Sequence, residues 1–374
     1  AQSRARTLVA MSGGVDSAVA ALLCAREGET AAVTLELWSD SENDADRSCC
    51  SASAVAQARG LAHSMGLPHF TVDLRAEFRA GVVEPFIAGF VAGETPNPCV
   101  GCNGHVRLDA MLDLAERLGC TRLATGHYAR IAEPDHPDGP LLRVAADPAK
   151  DQTYMIAALA PASLARMRFP LGELTKPEVR RIAAGAGLPV ASKIDSQDLC
   201  FLAGTDRARF LSRHGGLGDT PGTVVGLDGT VIGRHLGQHR FTVGQRRGLG
   251  VAAPGEPLYV LDKDAATGEV RVGPRVALQT TSVHVRGARL MRPGLRVDRV
   301  KLRYRSRPLP CRLSGDQQPG LHARLAIELA EPVDGAAPGQ LACLMDGDLV
   351  VGWGTIARGL GPAHHPRHLP TTGP

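Results

Sequence analysis

Apolar residues occur in two textures along the 374-residue chain. In the first, Thr7–Met11, Thr30–Leu37, Phe70–Leu74 and Thr121–Thr125 are short apolar runs of the length and kind that form buried strands. Between them, Ser17–Ala25 and the alanine-rich Ser51–Met65 read as helices. His105–Leu118 places Leu108, Met111, Leu112, Ala115 and Leu118 on one helical face. The alternation predicts an α/β fold with a doubly wound parallel sheet, whose ligands lie outside the carboxyl ends of the strands. Thr175-Lys176-Pro177-Glu178 is a capping box with an early proline and starts a further helix. The second texture begins near Ala203. Glycines become dense (Gly215-Gly216, Gly222, Gly226, Gly229, Gly233), and from Leu258 the pattern is strand and turn, with hairpins at Asp262–Gly268 and Asp346-Gly347. Three domains follow: a catalytic domain over 1–205, a small central domain over 206–275 and a β-barrel over 276–374. The chain has no internal repeat, and its tail from Gly361 to Pro374 is rich in proline and histidine.

Composition narrows the class. Aromatics are only 4% of residues, so the core must rest on Leu, Val, Ile and Ala. No run approaches the roughly 20 apolar residues that span a bilayer, and Ala1–Arg6 lacks the apolar stretch of a signal peptide. A cytoplasmic location without a membrane partner is the expectation. Nine cysteines, an odd number, argue against a disulfide framework and for reduced thiols used in chemistry or on a metal. Net charge is only +4, yet Arg286–Arg312 carries ten Lys or Arg against one acid, Asp298. Within it Val300, Leu302 and Tyr304 alternate with Lys301, Arg303 and Arg305, which on a strand makes one face cationic and suited to a polyanion.

Two motifs carry chemistry. Ser12-Gly13-Gly14-Val15-Asp16-Ser17 follows a strand and opens a helix. Its glycines let backbone N–H groups turn inward around phosphate oxygens, and the helix N-terminus favours the anion. Asp16 is unsuited by charge to touch phosphate, which assigns it to a Mg²⁺ bridge. The lysine of a Walker loop is missing, and the dinucleotide GxGxxG spacing is absent. The loop resembles that of the ATP-pyrophosphatase superfamily, enzymes that cleave ATP between the α and β phosphates and form adenylates. The second motif, Thr95-Pro-Asn-Pro-Cys-Val-Gly-Cys-Asn103, sets Cys99 and Cys102 in a proline-stiffened CxxC turn that can hold a metal, form a disulfide or activate a thiol. Cys200 lies in Asp195-Ser-Gln-Asp-Leu-Cys-Phe-Leu202. Sulfur transfer needs one thiol to carry a persulfide and another to release its terminal sulfur. Cys24, Cys120, Cys311 and Cys343 read as small buried apolar residues, and Cys49-Cys50 has no assigned role.

AMSGGVDS at 10–17, TPNPCVGCN at 95–103, ATGHYAR at 124–130, KDQTY at 150–154, DSQDLCFL at 195–202 and TVGQRRGLG at 242–250 occur in that order. Together they resemble the bacterial tRNA-specific 2-thiouridylases, over about residues 7–358. The resemblance implies an adenine nucleotide alpha hydrolase-like catalytic domain, a central domain and a tRNA-binding barrel. It implies ATP contacts at Ala10, Met11, Ser12, Gly13, Gly14, Val15, Asp16, Ser17, Glu36 and Gly126. Cys102 and Cys200 match the catalytic pair, with Cys200 the persulfide carrier. Asn97, Pro98 and Cys99 match the segment against the target base. His127, Lys150, Asp151, Gln152, Arg303, Tyr304 and Gln340 match tRNA contacts. The substrates implied are the tRNAs for Lys, Glu and Gln, and the partner a persulfide donor protein. Two departures matter. Cys99 stands where many members have an acidic residue, and Glu36 stands where many have methionine, which makes its contact a backbone one.

The implied reaction has the O2 of the wobble uracil attack the α-phosphate of ATP, with Mg²⁺, before Cys200 and Cys102 deliver sulfur to C2. An iron–sulfur cluster on Cys99, Cys102 and Cys200 is the less favoured route, and no dedicated metal site is expected. A small-molecule ATP ligase and a non-catalytic RNA-binding module are the rival readings. The cationic strand speaks against the first, and the intact loop and cysteines against the second.

Overall fold

The computed structural model describes residues 6–40, 52–194, 199–202, 205–251 and 255–358. Cys49, Cys50, the Asp195–Asp198 stretch and the Gly361–Pro374 tail lie outside the described residues. Five strands, β1 (Thr7–Ala10), β2 (Thr30–Glu36), β3 (His69–Asp73), β4 (Arg122–Ala124) and a short β7 (Met167–Arg168), form a parallel sheet in the order β3-β2-β1-β4-β7. Successive residues of β1 point to opposite faces. Leu8 joins one core and Val9 the other, so both faces are covered, as a doubly wound sheet requires. Helix α1 (Val15–Glu27) packs on the Val9 side through Ala18, Val19, Ala20 and Ala21, whose small side chains admit the close approach of Val179 and Ala183. Those two belong to the helix Lys176–Gly185, which begins with the capping box read from the sequence: Glu178 Oε2 accepts from the Thr175 backbone N–H at 2.7 Å.

The chain runs from β1 outward through β2 to β3, then crosses back to β4 on the other side of β1. That reversal opens a crevice beyond the carboxyl ends of β1 and β4. Residues 11–14 and 125–128 are the loops that border it.

A hairpin then leaves the α/β domain. β5 (Arg130–Ala132) and β6 (Leu141–Arg143) pair with each other, and β6 pairs with β17 (Leu349–Ile356) of the barrel. The barrel is a closed ring of β12 (Gln279–Leu290), β15 (Gly320–Asp334), β14 (Leu309–Leu313), β13 (Arg299–Lys301), β16 (Leu341–Asp346) and β17, with β12 also pairing β17. One apolar cluster extends without a break from Leu8 and Val33 to Val285 and Ile356, so the barrel and one face of the catalytic sheet share a core. Arg292, 1% exposed, seals this junction by donating to Glu133 Oε2 at 2.9 Å and to the Gly139 carbonyl at 2.7 Å. Between them lies a four-stranded sheet of β8 (Gly222–Val225), β9 (Val231–His235), β10 (Tyr259–Lys263) and β11 (Val270–Gly273), with its own core around Val224, Phe241, Val260 and Val272.

Two local readings change. The CxxC segment is not a turn. Asn97 Oδ1 accepts from the Cys99 N–H at 3.1 Å and Pro98 takes the first helical position, so a helix starts there. Pro98–Gly101 runs into a π-helical stretch, Cys102–Arg107, and on into Leu108–Arg117. Nor is Val300–Arg305 an alternating strand. β13 ends at Lys301, and the chain turns, with Ser306 Oγ donating to the Arg303 carbonyl at 2.9 Å.

Candidate nucleotide and RNA site

The crevice beyond β1 and β4 deepens into a cavity of about 2160 Å³. Its wall gathers residues from all along the chain. Ser12, Gly14, Val15, Asp16 and Ser17 come from the glycine loop, Cys99 and Asn103 from the cysteine helix, and His127 and Tyr128 from the loop after β4. Lys150, Asp151 and Gln152 add a further segment, and Tyr304, Arg305 and Arg307 reach in from the barrel. Of the remaining site residues assigned from sequence, Ala10, Met11, Gly13, Glu36, Asn97, Pro98, Cys102, Cys200, Gly126, Arg303 and Gln340 stand off this wall.

The loop is held open by its own groups. The Ser12 backbone N–H donates to Ser17 Oγ at 3.1 Å, and Ser17 Oγ donates to the Gly14 carbonyl at 3.1 Å. Gly13 has φ +69°, a left-handed conformation that glycine adopts at no steric cost. Gly126 acts from behind. A Cβ there would sit 2.7 Å from Ser17 N and 2.8 Å from Asp16 C, so only glycine lets the β4 loop press against the nucleotide loop.

Asp16 has partners that the sequence did not disclose. Lys176 Nζ donates to both its oxygens, at 2.7 and 2.8 Å, and Tyr128 Oη donates to Oδ1 at 2.9 Å. Lys176 is the residue after the Thr175 cap; the capping box announced the helix but not that its first turn faces a loop 160 residues away. With both carboxylate oxygens on a lysine, the loop does not fit a magnesium ion seated on Asp16. Among the described residues, no group of three or more His, Cys, Asp or Glu is gathered to hold a metal ion. Gln152 is also used internally: its Oε1 accepts from the Tyr128 N–H at 3.0 Å.

Asp151 is buried and accepts from Lys301 Nζ at 3.3 Å and from Thr153 Oγ1 at 2.9 Å, so Lys301 belongs to an ion pair and not to a cationic face. Most of the basic stretch behaves in this way. Arg286 pairs with Glu94, Arg292 with Glu133, Arg296 with Asp346 and Arg312 with Glu328. Acids brought from other parts of the chain neutralise a charge that looks uncompensated in sequence. The cavity wall still carries more cations than acids, with Lys150, Lys193, Arg207, Arg209, Arg305 and Arg307 against Asp16, Asp151 and Asp206, although Arg307 also pairs with Glu331 at 3.4 Å.

His127 lies against Thr125, with its Nδ1 2.8 Å from Thr125 Oγ1. Burial, reinforced by the nearby Arg107, lowers its pKa to about 4, so it presents a neutral imidazole to the cavity at physiological pH. Gln340 grips the cysteine segment: its Nε2 donates to the Thr95 carbonyl at 2.6 Å, while the Thr95 N–H donates to the Pro338 carbonyl at 2.8 Å. The barrel thus sets the entry to the helix that carries Cys99 and Cys102. Cys99 faces the cavity, Cys102 is 6% exposed behind it, and half-buried Cys200 lies in a short 3₁₀ turn, Cys200–Leu202. The Leu199 and Leu202 neighbours of Cys200 reach the wall. Glu36 ends β2, and its carbonyl accepts from the Leu74 N–H at 2.9 Å.

A glycine loop at the switch point of a doubly wound sheet defines a nucleotide-binding domain, and three family models match successive parts of the chain. One described as a tRNA methyl transferase HUP domain matches 5–204, one described as a tRNA methyl transferase PRC-barrel domain matches 208–274, and one described as an aminomethyltransferase β-barrel domain matches 291–356. The chain is 40% identical over 362 residues to a tRNA-specific 2-thiouridylase MnmA of Geotalea uraniireducens, covering 94% of this chain and 95% of that protein. It is 43% identical to one of Chloroflexus aggregans over 95% of this chain and 99% of the other. A bifunctional protein NifU/MnmA of Rubrobacter xylanophilus is 46% identical over 95% of this chain and 70% of its own length. The chain belongs to the tRNA-specific 2-thiouridylase family.

Proposed function

We propose that this chain is a tRNA-uridine 2-sulfurtransferase that adenylates the wobble uridine at O2 with ATP and then replaces that oxygen by sulfur. The observation that carries the reading is the single cavity in which the nucleotide loop, Cys99 and a cationic rim meet. Small-ligand pockets measure roughly 300–1,000 Å³. At about 2160 Å³ this one exceeds that range and leaves space for ATP beside an unstacked base.

The base O2 attacks the α-phosphorus on the Ser12–Ser17 loop, and pyrophosphate leaves with the electron pair of the broken P–O bond. Adenylation turns a poor leaving oxygen into a good one. Magnesium would supply neutralisation of the phosphate charge of ATP, and no step here is routed through it. Cys200 carries a persulfide received from a donor protein. Its terminal sulfur attacks C2, AMP leaves with the former O2, and Cys102 closes a disulfide with Cys200 as the base-bound sulfur is released. A thiol reductant reopens that disulfide. Cys99, on the wall, lines the base site, with Asn97 and Pro98 behind it at the start of its helix. Neutral His127 offers a hydrogen bond in place of a charge. The tRNAs for Lys, Glu and Gln are the proposed substrates and the cytoplasm the proposed location. A NifU fusion in one relative agrees with delivery of sulfur by a partner protein.

Release of pyrophosphate from ATP that depends on tRNA tests the reading. An ATP ligase for small molecules would release it without tRNA, and a binding module would not release it at all. The RNA face has its own test. Arg305→Ala is expected to weaken tRNA binding and to lower the salt slope by about one unit, as for loss of one phosphate contact. Arg303 is exposed but held by the carbonyls of Asp334 and Gly335 at 3.4 and 3.2 Å, so Arg303→Ala should lower the slope by less than about one unit. Salt titrations of tRNA affinity read both, and equal slopes in all three proteins would remove these arginines from the interface.

A further inference from the structure

The glycine loop contains no lysine, and its only charge, Asp16, is already balanced by Lys176. The cation that a departing pyrophosphate calls for must come from elsewhere. Lys193 stands on the cavity wall beside Ser12, Gly14 and Ser17. Its Nζ donates to the Gly13 carbonyl at 3.0 Å and to Gln57 Oε1 at 2.6 Å. Both acceptors are neutral, and among the described residues no carboxylate forms an ion pair with it. Its backbone is fixed: the Arg180 guanidinium donates to the carbonyls of Ala191 at 2.7 Å and Lys193 at 3.0 Å. An exposed ammonium on an anchored stem, resting on the loop by two neutral acceptors, can exchange these for phosphate oxygens, because there it meets a full opposite charge in place of a dipole.

We propose that Lys193 is the catalytic cation of the loop, which binds the β and γ phosphates of ATP and stabilises the leaving pyrophosphate. The proposal rests on the adenylation reading above. As the bond from O2 to the α-phosphorus forms, the α-phosphorus to bridging-oxygen bond breaks and its electron pair stays on pyrophosphate. Lys193 donates hydrogen bonds to that growing charge and transfers no proton. Gln57 parks the ammonium when phosphate is absent. The lysine that a Walker loop carries within itself is supplied here from 180 residues downstream.

Lys193→Met and Lys193→Arg test it in the full chain with tRNA, alongside the parent protein. Lys193→Met should lower tRNA-dependent release of pyrophosphate by about 10²-fold, the usual loss when one transition-state donor is removed, with partial rescue in Lys193→Arg. Inorganic pyrophosphate should inhibit Lys193→Met at least about ten-fold more weakly, while inhibition by AMP, which lacks the outer phosphates, and affinity for tRNA stay as in the parent. A merely structural lysine would not separate pyrophosphate from AMP in this way. Parent-like release of pyrophosphate in Lys193→Met, or slow release with unchanged pyrophosphate inhibition, would overturn the proposal. If the parent itself releases no pyrophosphate from ATP in the presence of tRNA, the adenylation reading fails first and the role of Lys193 falls with it.

Discussion

Gly126→Ala is expected to reduce AMP formation by about 10²-fold or more while leaving tRNA affinity near that of the parent. The added methyl would meet Ser17 N at 2.7 Å, Asp16 C at 2.8 Å and Ser17 Cα at 3.0 Å, all backbone atoms that no side-chain rotation can move aside. Relieving the overlap costs about 1–3 kcal/mol, and the loop rather than β4 yields, since β4 is hydrogen-bonded on both sides by β1 and β7. A shift of about 1 Å in a positioned group is enough for a hundred-fold loss. Thermal unfolding separates the two consequences: a modest fall in midpoint with a large fall in rate is the expected pattern. A parent-like rate would mean that the loop does not position the reacting phosphate.

Cys102→Ser and Cys200→Ser should each stop the appearance of 2-thiouridine yet still allow adenylation, read as tRNA-dependent release of pyrophosphate, because neither thiol lies on the wall that holds the nucleotide loop. Cys99→Ser divides the two sulfur chemistries. With a persulfide on Cys200, Cys99 lines the base site and its loss slows turnover without ending it. With a cluster on all three cysteines, loss of any thiolate removes cluster and activity together, since the iron depends on those ligands. Iron content and thiouridine formation in the parent and in Cys99→Ser, both prepared without oxygen, decide between them. Iron-free parent protein with slowed but continuing turnover in Cys99→Ser is expected. Stoichiometric iron in the parent, lost with all activity in the variant, would replace the persulfide scheme.

What the sequence disclosed was chiefly local. The β1–loop–α1 unit was legible because strand, glycines and helix are consecutive. The Lys176–Gly185 helix was legible because Thr175 and Glu178 satisfy each other within one turn. Long-range chemistry was not. Lys176 and Tyr128 reach Asp16 across 160 and 112 residues, and only the sheet order brings those segments together. The basic stretch was over-read because its counter-charges, Glu94, Glu133, Asp151 and Glu328 among them, come from separate parts of the chain. The β5–β6 hairpin is three residues a side, too short for an alternating pattern to show that it extends the sheet of a barrel through a strand, β17, that begins only at Leu349.

Cationic residues on the wall and two thiols behind it explain the site only if the oxygen of the base, and not another group, is what ATP activates. That claim has a direct test in tRNA whose wobble uridine carries oxygen-18 at C2. If O2 attacks the α-phosphorus and C2 then takes sulfur, one labelled oxygen must leave with each AMP, and none with pyrophosphate. Mass spectrometry of the AMP formed per 2-thiouridine is therefore expected to show one oxygen-18 in each. Unlabelled AMP from the same thiolated tRNA would contradict adenylation of the base.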